Sequence, residues 1–155
     1  KDGGIKKPHD FRDGYQHLGA FTVLDAKGNE MHDTYATPGA AVEFRKTGKF
    51  PDGTVLVKEV SGTAHAALTT GDAHWATNVK VWFVMIKDAK GRYPQNKLWG
   101  EGWGWALFKS DAPNKQVATD FRTDCLPCHV PAKANDWIYV RGYRALREAP
   151  GAATK

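Results

Sequence analysis

The segment Cys125-Leu126-Pro127-Cys128-His129 sets two thiols around a two-residue spacer and follows them at once with an imidazole. That spacing is the attachment pattern of a c-type haem. Each thiol adds to one vinyl group of the porphyrin as a thioether, and His129 reaches the iron as proximal ligand. A structural zinc site would need two further ligands at matched spacing, and the chain holds no other cysteine. A thioredoxin-type motif would follow a strand in a βαβ unit, and nothing before Asp124 reads as one. With both cysteines engaged by haem, no disulfide is available.

Other residues with coordinating or proton-transfer chemistry are fewer. The two methionines, Met31 and Met85, both precede the haem motif, and Met85 sits in a continuous apolar run where a core role is favoured over iron ligation. His65 and His74 are formal candidates for a sixth ligand, although loop histidines are ordinarily solvated. Arg45 can reach a distal ligand or a propionate, or lie on a helix surface. Three lysines near strand ends, Lys58, Lys80 and Lys87, are candidate amines. Lys80 is distinguished by heading the run Lys80-Val81-Trp82-Phe83-Val84-Met85, because burial would favour its neutral, nucleophilic form.

The elements that position these groups are read from periodicity and turn residues. Residues 1–8 read as a loose arm. Asp10 to His17 predicts a short helix, and Ala20 to Leu24 a strand closed by a turn over Asp25 to Asn29. Thr37-Pro38 predicts a helix from about Pro38 to Thr47, ended by Gly48. Thr54 to Ser61 and Ala76 to Lys87 read as strands, the second apolar on both parities and therefore central. Leu98 to Phe108 alternates large and small: Trp99, Glu101, Trp103, Trp105 and Leu107 against Gly100, Gly102, Gly104, Ala106 and Phe108. The small face predicts close approach by something flat, for which a porphyrin is the candidate. Asp111 to Cys128 predicts a helix with Val117, Phe121 and Cys125 on one face, and Asp136 to Arg147 a last helix or strand. The fold class is α+β: a single domain over residues 1–155, dominated by an antiparallel β-sheet, with a few flanking helices and a C-terminal haem c motif.

At 155 residues the chain can bury a core around a porphyrin. No apolar run approaches the roughly 18 residues of a membrane span, and no secretory leader pattern opens the sequence. Covalent haem attachment takes place on exported protein, so the expected location is periplasmic, with the signal peptide removed. The formal net charge is +5 without a basic run, which argues against nucleic acid and for an acidic redox partner such as another cytochrome c.

Four segments together carry a family resemblance. Phe50-Pro51-Asp52-Gly53-Thr54-Val55-Leu56-Val57-Lys58-Glu59, Lys80-Val81-Trp82-Phe83-Val84-Met85, Leu98-Trp99-Gly100-Glu101-Gly102-Trp103-Gly104-Trp105 and the C-terminal Cys125-x-x-Cys128-His129 resemble cytochrome P-460, from about His9 to Arg147. The four-helix cytochromes c-prime do not fit, because the glycine-rich, alternating middle third would disfavour a long helix. The resemblance implies a sheet-dominated periplasmic homodimer. Its haem c has a five-coordinate iron and a third covalent tie, from a lysine nitrogen to a meso carbon of the porphyrin. It assigns that lysine to Lys80; on the residues alone, Lys58 and Lys87 serve equally. It implies oxidation of hydroxylamine with a distal carboxylate as proton acceptor. Counted without gaps from Lys80, that position holds Ala106, which cannot accept a proton. Glu101 and Asp111 are the nearest carboxylates. The related cytochromes c-prime-beta, which lack the lysine tie and bind small gases, imply the alternative: a nitric-oxide carrier or scavenger with little turnover.

Overall fold

The computed structural model describes residues 2–147. An antiparallel sheet of seven strands organises it, in the order β1-β2-β3-β4-β6-β5 with β7 paired to β6. The strands are β1 (Gln16–Val23), β2 (Glu30–Ala36), β3 (Val55–Leu68), β4 (Gly71–Lys87), β5 (Trp99–Gly100), β6 (Trp103–Lys109) and β7 (Ala112–Gln116). Four short helices flank it: α1 (Phe11–Gly14), α2 (Ala40–Thr47), α3 (Phe121–Asp124) and α4 (Leu126–His129). The sheet-dominated α+β expectation therefore holds, and each face of the sheet builds its own core.

On one face, Leu56, Met85, Trp103 and Trp105 pack with Phe44 and Phe50 and with Phe121, Cys125, Trp137 and Ile138 of the C-terminal segment. On the other face, Val57, Val84, Ala106 and Phe108 pack with Ile5 and Phe11. Register makes this division: Leu56 stands opposite Met85 and Met85 opposite Trp105, while Val57 stands opposite Val84 and Val84 opposite Ala106. Side chains alternate between faces at a period of two, so neighbouring residues serve different cores. The double burial of β4 explains its unbroken apolar run.

Several local expectations change. The N-terminal arm is docked: Trp99 Nε1 donates to the Gly3 carbonyl at 2.7 Å, Asn96 Nδ2 donates to the Asp2 carbonyl at 2.7 Å, and Ile5 is buried. Residues 98–108 are two strands, because Glu101 (φ 56°) and Gly102 (φ 78°) make a left-handed turn between β5 and β6. The expected small-residue face is thereby split: Gly104 pairs with Trp99 and Gly100 with Trp103, so the two glycines lie on opposite faces, each against an aromatic ring. A Cβ on Gly100 would lie 2.2 Å from Phe121, and one on Gly104 would lie 2.8 Å from Trp99. The bulky Trp103 and Trp105 face the C-terminal segment instead. The helix expected over 111–128 is β7 followed by α3 and α4, and residues 130–147 hold two 3₁₀ turns, Val130–Asn135 and Arg144–Leu146, joined by loop. Arg45 is spent on structure, its guanidinium donating to the Ala145 carbonyl at 2.5 Å.

Candidate functional site

One cavity of about 360 Å³ lies between the sheet and the C-terminal segment, within the range of small-molecule and cofactor sites. Most of the sheet wall is one alternation class: Glu30, His32 and Thr34 of β2, Leu56, Lys58 and Val60 of β3, Val81, Phe83 and Met85 of β4, and Trp105 of β6; Val84 and Ala106 of the other class also touch the cavity. The facing wall carries Asp124, Cys125, Cys128 and His129, with Ile138, Tyr139 and Tyr143.

The cysteine motif is held by its flanks. Asp120 caps α3, accepting from the Arg122 backbone at 2.9 Å, and Phe121 buries the helix against Trp105, with near-parallel rings 6.1 Å apart. Cys125 follows one turn later, its backbone N–H donating to the Phe121 carbonyl at 3.1 Å. The Asp124 carboxylate accepts from the Thr119 and Asp120 backbone N–H groups at 2.6 and 3.2 Å and from the Thr123 hydroxyl. Those donors favour its charged form and bring its pKa down to about 2. Burial pushes the Cys125 thiol up to about 11. Cys125 and Cys128 are free thiols, not joined to each other.

His129 is oriented by a carbonyl. Its Nδ1 lies 2.7 Å from the Trp137 oxygen; a carbonyl only accepts, so Nδ1 carries the proton and Nε2 keeps its lone pair. The Trp105 ring meets the imidazole edge-on at 5.0 Å. Burial, followed by the nearby Lys58 charge, lowers the His129 pKa and favours the neutral ring, although its hydrogen bond to Trp137 opposes the shift. Trp137 and Asp136 both have left-handed backbones (φ 70° and 56°), and side chains hold that conformation in place. Lys87 Nζ pairs with Asp136 Oδ1 at 2.5 Å, the Phe50 N–H donates to Asp136 Oδ2 at 2.9 Å, and Trp103 Nε1 donates to the Asp136 carbonyl at 3.1 Å. The buried Cys125 thiol, the exposed Cys128 thiol and an imidazole whose Nε2 keeps its lone pair line one largely apolar cavity, a set that suits a haem.

The candidate amines separate. Lys58 lines the cavity, with Nζ 5.8 Å from the Phe21 and Phe83 ring centres, and desolvation lowers its pKa. Lys80 is not among the lining residues. A bulge puts Val79 and Val81 opposite successive β3 residues and leaves Lys80 between them, half-exposed and paired with Glu30 Oε1 at 3.0 Å. Lys87 belongs to the Asp136 pair. Ala106 touches the cavity wall, yet alternation sends its side chain into the opposite core with Val84 and Phe108. A carboxylate at position 106 would therefore not project from the wall that Trp105 forms. Glu101 is an exposed turn residue and Asp111 an exposed loop residue.

Sequence reasoning missed the pair on the β2 wall. His32 Nε2 lies 3.2 Å from Glu30 Oε2, while His32 Nδ1 is buried with no hydrogen-bond partner among the described residues. Lys80 and His32 both lower the Glu30 pKa, and burial followed by Lys58 lowers that of His32. The available signal was the alternation Glu30, His32, Thr34, which polar residues on both parities concealed.

No curated protein matches the chain. The Cytochrome P460 family model matches residues 8–140, from the N-terminal arm past the haem motif and through the loop that holds His129. The chain belongs to the cytochrome P460 family of haem proteins.

Proposed function

We propose that this protein is a periplasmic haem c oxidoreductase that handles small nitrogen compounds, hydroxylamine or nitric oxide, at a five-coordinate iron. The carrying observation is the convergence of Cys125, Cys128 and His129 Nε2 on one cavity whose other wall holds Lys58 and the His32–Glu30 pair. When bound, haem c supplies an iron that takes the nitrogen ligand and passes electrons to a partner such as another cytochrome c. Cys125 and Cys128 would hold the porphyrin edge, and His129 would ligate the iron through Nε2. The third tie falls to Lys58 in place of Lys80, because Lys58 is the desolvated amine inside the cavity. Glu30 accepts from His32 Nε2–H, and this hydrogen-bonded pair on the cavity wall is the acceptor for a substrate proton. This pair takes the role for which Ala106 has no group. Covalent haem attachment supports the periplasmic location, and the P-460 resemblance supports a homodimer.

The test compares wild type with His32→Phe, assayed for hydroxylamine oxidation with an artificial electron acceptor and for nitric oxide binding. General-base assistance is worth about 10²–10⁴-fold, so the variant should lose turnover to that extent and keep nitric oxide binding. The apolar rim of Val60, Val81 and Phe83 favours a second reading, a nitric-oxide carrier. Wild type that binds nitric oxide without turning over hydroxylamine establishes that reading instead.

A further inference from the structure

Outside the haem cavity, the structure gathers a second set of ligating side chains at the far end of the β3–β4 hairpin. The register sets His65 directly opposite His74, and their rings lie 5.1 Å apart and 16° from parallel. Asp72, two residues before His74, reaches both: Oδ1 is 3.2 Å from His65 Nδ1, and Oδ2 is 3.6 Å from His74 Nε2. Neither histidine lines the haem cavity, in keeping with the reading of both as solvated residues and not iron ligands.

We propose that His65, Asp72 and His74 form a separate binding site for a divalent late-transition metal ion of the zinc, nickel or copper class. The ligand spacing fits. A tetrahedral ion with bonds of about 2.0–2.1 Å has ligand atoms about 3.3 Å apart; Asp72 Oδ1 is 3.2 Å from His65 Nδ1, close to that edge, while the 3.6 Å contact to His74 Nε2 is made by the other carboxylate oxygen. One ligand atom from each of the three residues lies within 4.8 Å of the others, a gap that side-chain rotation closes. Two imidazole nitrogens with one carboxylate oxygen select this class over magnesium or calcium, which prefer all-oxygen shells. The backbone is set before the ion arrives, because residues 63–68 and 71–76 pair with each other across a two-residue turn. The carboxylate already engages both rings, so the ligands are gathered without metal. Three protein ligands leave a fourth position for water or for a group from a partner molecule.

The experiment is calorimetric titration of the purified, haem-containing protein with zinc chloride, alongside His65→Ala, His74→Ala and the double variant. We expect one saturable site per chain with micromolar affinity. Each single variant should weaken it at least about tenfold, the smallest loss that even outer-sphere changes cause, and the double variant should abolish it. Haem absorption and circular dichroism should remain unchanged, since the three side chains are on the projecting hairpin. Electron paramagnetic resonance with one equivalent of copper(II) should show nitrogen couplings from two imidazoles. No saturable zinc site, zinc binding unchanged in the double variant, or copper without imidazole couplings would each overturn the proposal.

Discussion

Lys87 Nζ lies 2.5 Å from Asp136 Oδ1, and both side chains are more than nine-tenths buried. This pair joins the end of the central strand to the residue before Trp137, whose carbonyl orients His129. A buried ion pair is poor evidence of net stability, since desolvating two charges offsets most of their attraction. Its value here is positional: it holds two consecutive left-handed residues that would otherwise relax.

The first prediction concerns that pair. Lys87→Met strands Asp136 in an apolar setting and should destabilise the fold by about 3–5 kcal/mol, read from a shifted denaturant midpoint. It should also change the iron–histidine stretching band in the Raman spectrum of the ferrous protein, because the Trp137 carbonyl loses its fixed place. A lowered midpoint with an unchanged band would show that the pair stabilises the fold without orienting His129.

The second concerns Asp124. Its folded pKa of about 2 lies below the ordinary value of 3.8, so it binds a proton less readily in the folded state than in the unfolded one. Its contribution is therefore complete above about pH 4 and disappears as the pH falls through about 2. Asp124→Asn should melt below wild type at pH 7, and the difference should close towards pH 2. A constant difference in melting temperature across that range would contradict the assignment.

The third concerns position 106. Ala106→Glu would place a carboxylate in the apolar core of Phe11, Val57, Val84 and Phe108. The cost of an unpaired buried charge should be several kcal/mol, seen as loss of soluble protein or a lowered denaturant midpoint. A stable variant with faster hydroxylamine oxidation would mean that the side chain reaches the haem cavity after all.

Legibility in the sequence followed the range of the interaction that defines each feature. The cysteine motif is a local sequence pattern and reads directly, and the structure sets both cysteines and His129 on one cavity. The central strand reads from its apolar run, Val79 to Ile86, since only a doubly covered strand tolerates it. The Glu30–Ala36 strand and the outer half of the β3–β4 hairpin were silent, because small and polar residues such as Thr63, Ala64, Ala66 and Thr77 carry no hydrophobic period. The lysine assignment depended on register. Lys58 and Lys80 are equally plausible strand lysines in one dimension, and a single bulge moves Lys80 outside the cavity. The small face expected over residues 98–108 does not survive the turn at Glu101-Gly102: Gly100 lies against Phe121 on one face of the sheet and Gly104 against Trp99 on the other.

The most direct test of the account is mass mapping of the haem in the purified protein after denaturation and proteolysis. The account predicts one haem retained through denaturation, on a fragment containing Cys125 and Cys128 and tied to a second fragment containing Lys58. Lys80→Leu should leave that pattern intact, and Lys58→Leu should release the second fragment alone. Haem that extracts into acidified acetone, or that is carried by a fragment without Cys125 and Cys128, would contradict the central claim.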